Sequence, residues 1–250
     1  MSKLQNKVAV ITGGSLGIGY AIAKQFIDEG AKVVITGRNQ QTIDAAVEQL
    51  GSHATGIRAD AANLQDTNKL VEQVKSLFGK VDILVVNAGV NAMEPVGHIT
   101  EQAFDKIMDI NFKGAIFTTE KFIPILSQGA SVIHVSSVSA FAVGLGTAIY
   151  AASKAALNAY SRTAAIELAP RKIRVNAILP ALTETELVNK NDALKEMHTF
   201  LKNKMPFKRY AEPIEVAKLV AFLASDEASF ISGAEYTIDG ATTVNEPFRA

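Results

Sequence analysis

The sequence predicts an α/β fold: a doubly wound, mostly parallel sheet with helices on both faces. Two patterns predict it. Short β-branched apolar runs recur along most of the chain, and segments of helical period separate them. Length agrees, because 250 residues suit one large domain of this class, which buries about three-quarters of its unfolded surface.

Taken in order, apolar runs at 7–12, 32–36, 54–58, 82–86, 131–135 and 173–178 show little alternation, as strands covered on both faces should. Helical periods fill 17–29, 40–50, 64–78, 100–126 and 151–169. A further helix is expected over 213–224, with Pro213 in its first turn. Strand-helix alternation of this kind requires right-handed crossovers. No linker, repeat or low-complexity tract divides the chain, so residues 1–250 read as one domain. The stretch 182–209 breaks the rhythm: it is polar and charged, with scattered apolar residues. It follows the sixth strand at the carboxyl edge of the sheet, where open α/β folds bind ligands. That position suggests a mobile lid over a pocket; a surface helix pair is the alternative.

Composition excludes several functions. Lys and Arg number 25 against 25 Asp and Glu, so no basic footprint marks a nucleic acid or anionic membrane partner. With no cysteine, thiol catalysis, disulfides and thiolate zinc sites fall away together. The first apolar run, residues 8–11, is too short for a signal-peptide core, and no run is long enough to span a bilayer. A cytoplasmic protein is the expectation. The four histidines (His53, His98, His134, His198) have no metal-like spacing, and no metal site is expected. His134 falls in a strand and reads as a packed, hydrogen-bonded residue.

The first strand ends in Thr12-Gly13-Gly14-Ser15-Leu16-Gly17-Ile18-Gly19 and runs into a helix. Glycines at 13, 17 and 19 allow a sharp turn and bring backbone N–H groups close to a pyrophosphate at the helix N-terminus. Tight turns need glycine for steric reasons as well. Here the turn follows a first strand and opens a helix, which is the context dinucleotide binding requires. The spacing resembles the T-G-x-x-x-G-x-G pattern of the short-chain dehydrogenase/reductase family, and the resemblance extends over essentially the whole chain. It implies a Rossmann-like, seven-stranded sheet, with 236–241 (Tyr-Thr-Ile-Asp-Gly-Ala) matching the family's final strand and Asp-Gly-Gly. Val86-Asn87-Ala88-Gly89 resembles the family's N-N-A-G, with Val at the first position. Asp60 matches an adenine-contacting aspartate; a turn former or helix N-cap is the alternative.

Cofactor choice is read after the second strand, in Thr36-Gly37-Arg38-Asn39. A 2′-hydroxyl is usually held by an acidic residue there, whereas Gly37 supplies no carboxylate and Arg38 offers a cation to a 2′-phosphate. The expected cofactor is therefore NADP(H). The resemblance implies cofactor contacts at Gly13, Ser15, Leu16, Gly17, Ile18 and Gly19, at Arg38, Asp60 and Ala61, and at Asn87, Ala88 and Gly89. It adds Tyr150, Lys154, Pro180 and Thr185. Ala181 stands where the family usually has Gly after Pro180.

Tyr150 and Lys154 are four residues apart and share a helix face. A nearby ammonium is expected to lower the tyrosine pKa from ~10, and the same phenol can protonate a ketone oxygen. Ser137 precedes Tyr150 by thirteen residues, the family's usual interval, with Ser136 and Ser139 as rivals. Asn111 matches the family's catalytic asparagine; the resemblance implies that it orients a water linked to Lys154. These four are the expected catalytic residues. They imply an oxidoreductase that reduces a ketone or aldehyde carbonyl to an alcohol. A 3-oxoacyl-thioester reductase and a non-catalytic dinucleotide-binding sensor are the alternatives. Enoyl reductase relatives space Tyr and Lys more widely. The helix after Tyr150 is rich in alanine, and relatives use it in tetramer interfaces, so a homotetramer is expected; high helix propensity also explains the alanines.

Overall fold

The computed structural model describes residues 2–185 and 195–245. Its strands are β1 (Val8–Ile11), β2 (Lys32–Gly37), β3 (Ala54–Arg58), β4 (Val81–Val86), β5 (Leu126–Val135), β6 (Arg174–Pro180) and β7 (Glu235–Ile238). Its helices are α1 (Gly17–Asp28), α2 (Gln40–Leu50), α3 (Leu64–Phe78), α4 (Glu101–Met108), α5 (Ala115–Phe122), α6 (Ala148–Glu167), α7 (Lys195–Lys204) and α8 (Pro213–Ala224). The strands form one sheet in the order β3-β2-β1-β4-β5-β6-β7, and every neighbouring pair is parallel.

The missing alternation in the strand sequences now has its cause. Ala9, Ile11, Val33, Ile35, Ile83, Val85 and Ile133 enter a core shared with α1, α2 and α8. Their neighbours Val10, Val34, Leu84, Val86 and Val132 enter a second core, shared with α3, α5 and α6. Both faces are dry, so every position along a strand must be apolar. A fully buried side chain such as Phe26 stabilises by about 1.5–3 kcal/mol. The chain winds outward from β1 to β3, then restarts at β4 on the other side. The crevice between the carboxyl ends of β1 and β4 is the switch point where ligands enter such sheets.

Two expectations are corrected. The helix read over 100–126 is not continuous: α4 and α5 are joined by a π-helical turn at Asp109–Gly114, and a 3₁₀ turn at Ile123–Ile125 follows. The extra residue makes room for close packing, since a Cβ on Gly114 would lie 2.3 Å from the Ala61 carbonyl oxygen. The fifth strand also starts at Leu126 rather than 131. Among the described residues, no helix is long and apolar enough to cross a membrane.

Candidate active site

The glycine turn is stapled to the end of β4. Thr12 Oγ1 accepts from the N–H groups of Asn87 (3.0 Å) and Ala88 (3.1 Å), and Asn87 Nδ2 donates to the carbonyls of Thr12 and Gly13, both at 3.0 Å. Gly13 and Gly17 sit at φ +64° and +57°. Gly19 is required for another reason: a Cβ there would lie 2.2 Å from the Gly13 carbonyl oxygen and 2.5 Å from Asn87 Nδ2. Ile18 packs into the first core, while Leu16 is exposed at the N-cap of α1. No side chain caps α1, whereas Asn39, Asn63 and Thr100 cap α2, α3 and α4. An uncapped N-terminus beside a side-chain-free cradle fits a pyrophosphate.

Flanking groups lie along the same edge. Ser15 Oγ would stand 3.0 Å from a Cβ on Gly37, so the turn and the end of β2 touch. Arg38 is exposed beyond them, and among the described residues no carboxylate pairs with it. Asp60 Oδ1 accepts from Ala62 N at 3.0 Å, so this residue forms a turn through one carboxylate oxygen. Pro180 ends β6 opposite Ile238, and the Thr185 methyl would lie 3.3 Å from a Cβ on Gly17. Ala181 carries no positive φ, so the missing glycine costs nothing there. Ala241 does adopt φ +65°, held by its N–H on Asp239 Oδ1 at 3.0 Å, a conformation that disfavours a Cβ by roughly 1–2 kcal/mol.

At the carboxyl ends of β4 and β5 the structure brings Asn111, Ser137, Tyr150 and Lys154 together. Ser137 follows β5, where its hydroxyl accepts from Ser139 N at 3.1 Å and stands close enough to Tyr150 to act on its pKa. Ser136 is spent elsewhere, donating to the Lys154 carbonyl at 3.3 Å. Lys154 is buried, donates to the Val135 carbonyl at 2.8 Å, and lies 5.8 Å from the Tyr150 ring centre. Burial lowers its pKa to about 8. Asn111 lies in the π-helical turn; its amide both accepts from Val90 N and donates to Val90 O, each at 2.8 Å, and donates to Ser153 Oγ at 3.2 Å. A Cβ on Gly89 would meet Asn111 Oδ1 at 3.3 Å and Lys154 Nζ at 3.5 Å, so Gly89 lies against both groups.

One electrostatic expectation is reversed. The Tyr150 pKa is raised, not lowered: burial favours the neutral phenol, and the neighbouring Ser137 hydroxyl opposes it only in part. The Lys154 ammonium, bonded to the Val135 carbonyl, stands 5.8 Å from the ring centre. The resting tyrosine is therefore an acid, the form that donates a proton.

Several contributors escaped the sequence reading. Ser153 bridges Asn111 and the Tyr150 carbonyl, donating to the latter at 2.7 Å, but it looks like one more small residue in an alanine-rich helix. The Val135 and Val90 contacts are backbone groups and leave no residue-type signal. His134 is the packed, hydrogen-bonded strand residue expected, and it braces the site from behind: its ring nitrogens meet Thr119 Oγ1 of α5 at 2.9 Å and Ser161 Oγ of α6 at 2.7 Å. Complete burial, with the Lys154 charge second, lowers its pKa to about 3.

Of the segment read as a lid, residues 186–194 lie outside the described residues. The remainder is tied at its base. Thr183 bridges Ala211, Lys202 pairs with Glu184 at 3.0 Å, and His198 Nδ1 meets the Tyr210 hydroxyl at 2.8 Å. Arg209 forks onto Glu215 at 2.7 and 2.8 Å, which holds that carboxyl down at about 2. Among the described residues, no group of three or more His, Asp or Glu is placed to hold a metal ion.

A family model described as "Enoyl-(Acyl carrier protein) reductase" matches residues 13–243. The human "Dehydrogenase/reductase SDR family member 4" is 39% identical over 245 residues, 96% of this chain and 88% of that protein. The "NADP-dependent (R)-specific alcohol dehydrogenase" of Lentilactobacillus kefiri is 36% identical over 248 residues, 96% of this chain and 98% of that one. Among solved structures, the "Short-chain dehydrogenase/reductase SDR:Glucose/ribitol dehydrogenase" of Brucella melitensis superposes with a TM-score of 0.91 at 31% identity, covering 96% of this chain and 98% of its own. With a family model matched over most of the chain and relatives above 30% identity along nearly all of it, the chain belongs to the short-chain dehydrogenase/reductase family of oxidoreductases.

Proposed function

We propose that this protein is an NADP(H)-dependent carbonyl reductase or alcohol dehydrogenase acting reversibly on a small ketone or aldehyde. The observation that carries the reading is the placing of the Ser137 hydroxyl beside the Tyr150 phenol, with buried Lys154 one helical turn on. The cofactor, when bound, supplies hydride to the carbonyl carbon. Gly13 to Gly19 and the uncapped start of α1 would hold its pyrophosphate, and Lys154 its nicotinamide ribose. Ser137 fixes the substrate oxygen by donating a hydrogen bond. Tyr150 gives its phenolic proton to that oxygen as charge develops there. Lys154 limits the cost of the phenolate left behind, and Asn111 supports the route by which solvent restores the proton. NADPH oxidation across ketones, keto esters and acyl thioesters tests the reading. Turnover of acyl thioesters alone would favour a thioester reductase, and no turnover beside tight NADPH binding would favour a sensor.

Preference for NADP(H) rests on Arg38, exposed beside Gly37 and paired with no carboxylate among the described residues, and is supported by the NADP dependence named for the Lentilactobacillus kefiri relative. Arg38→Ala is expected to weaken NADPH binding roughly tenfold to a hundredfold, the worth of a hydrogen-bonded charge, and to leave NADH almost unaffected. Fluorescence titration measures both. Unchanged NADPH affinity, or tighter NADH binding by the parent, overturns the assignment. A cytoplasmic homotetramer belongs to the same reading, supported by exposed Phe104, Phe117 and Ile166 on α4, α5 and α6. Light scattering should give four times the chain mass; a monomer at micromolar concentration counts against it.

A further inference from the structure

The geometry points to an uncharged ketone with an extended apolar arm as the substrate class, held by Phe141, Val143 and Leu145 on one loop and by Met93 and Val96 on another. This rests on the carbonyl-reductase reading above. The first loop joins Ser137 to α6 and so spans the two residues that would hold the reacting oxygen. The second follows β4 and Gly89. They close on each other: Glu94 N donates to the Gly146 carbonyl at 2.8 Å, and Met93 side-chain atoms lie 3.6 Å from where a Cβ on Gly146 would be.

All five side chains are large, apolar and exposed, Leu145 by 95% and Val96 by 81%. Soluble proteins rarely present contiguous apolar surface of this kind without a ligand or partner for it. Continuity with Ser137 and Tyr150 assigns it to substrate. The polar inventory agrees. Residues 137–149 contain no ionisable group, and residues 90–99 only Glu94 and His98. The nearby cations are engaged, Lys154 by the Val135 carbonyl and Lys202 by Glu184. Thr147, a hydroxyl of the kind a polyol would use, is closed on Gly144 through both its donor and acceptor contacts, at 2.8 and 3.2 Å. A substrate carboxylate or phosphate therefore finds no lysine or arginine in these loops, while Glu94 adds a carboxylate to them.

The test is kcat/KM with NADPH for the methyl ketones from butan-2-one to octan-2-one, with 2-oxooctanoate as the charged counterpart of the longest. The expected result is a rise of up to about fourfold for each methylene, the worth of burying one CH₂, and a fall of about a hundredfold or more for the keto acid. Leu145→Ser and Phe141→Ser should each lower the ratio of octan-2-one to butan-2-one at least threefold. Leu145 is almost wholly exposed, so its variant is not expected to endanger folding. A flat series, a preferred keto acid, or serine variants that alter assembly mass while preserving the ratio overturn the apolar-arm proposal and leave carbonyl reduction standing. If no ketone or keto acid oxidises NADPH, the underlying reading falls and this one with it.

Discussion

Tyr150→Phe is expected to lower kcat by about 10³-fold, within the 10²–10⁴-fold range that a positioned proton donor supplies. NADPH affinity should stay within about twofold of the parent. The phenyl ring keeps its place in α6, and the cofactor contacts expected of Lys154 and the glycine turn are untouched. What disappears is the proton that a ketone oxygen needs as hydride arrives. The raised pKa of Tyr150 sharpens the prediction: burial holds the group as a phenol, ready to donate, so no other acid has to be recruited in the reducing direction. Ser137 remains, but a serine hydroxyl has no neighbouring base from which to replace its proton. Steady-state kinetics with the best ketone, beside fluorescence titration of NADPH, separates the two effects. More than a tenth of parental turnover in the Phe variant would remove Tyr150 from the mechanism.

How far the sequence could be read depends on what kind of signal each feature leaves. Strands buried on both faces announce themselves as unbroken β-branched runs, and β1 to β4 lie within a residue or two of where those runs stand. Other strand edges were hidden. Residues 127–130 fit no element because Ser127, Gln128 and Gly129 are polar or small, and Leu126 reads as the end of a helix, yet β5 begins at Leu126. β7, four residues long and half exposed, was visible only through resemblance. Periodicity also misses the π-helical turn, since one extra residue within a long helical pattern barely disturbs the count. That turn carries Asn111, whose amide is matched to Val90 by two backbone contacts. Among the site residues, Tyr150, Lys154 and Ser137 were legible because side-chain chemistry recurs at fixed spacing. The groups that aim them were not. A carbonyl such as Val135 O has no letter in the sequence, yet it is what fixes the place of the Lys154 ammonium.

His134 should make the fold acid-sensitive. In the folded protein its pKa lies near 3, because full burial and then the charge of Lys154 oppose the imidazolium. In the unfolded chain it returns to ~6.5. The neutral ring therefore contributes stability in full above about pH 6.5, and that contribution is lost as pH falls toward 3. Over the whole window it amounts to about 5 kcal/mol, and between pH 7 and pH 5 to about 2 kcal/mol, at 1.36 kcal/mol for each unit of separation. The hydrogen bonds oppose burial in part, because the carbonyl bonds leave both hydroxyls as acceptors for a doubly protonated ring. Ser161 and Thr119 each also bond a carbonyl of their own helix, so a neutral ring with one N–H and one lone pair needs a single hydroxyl to turn toward it. His134→Gln removes the titrating group and keeps an amide donor and acceptor. The expected result in equilibrium urea unfolding is that the parent loses about 2 kcal/mol more than the variant on going from pH 7 to pH 5. Parallel stability curves would show that His134 is not held neutral. Activity should follow the same dependence in the parent, because the residue after His134 anchors Lys154, and the helix it braces through Ser161 carries Tyr150.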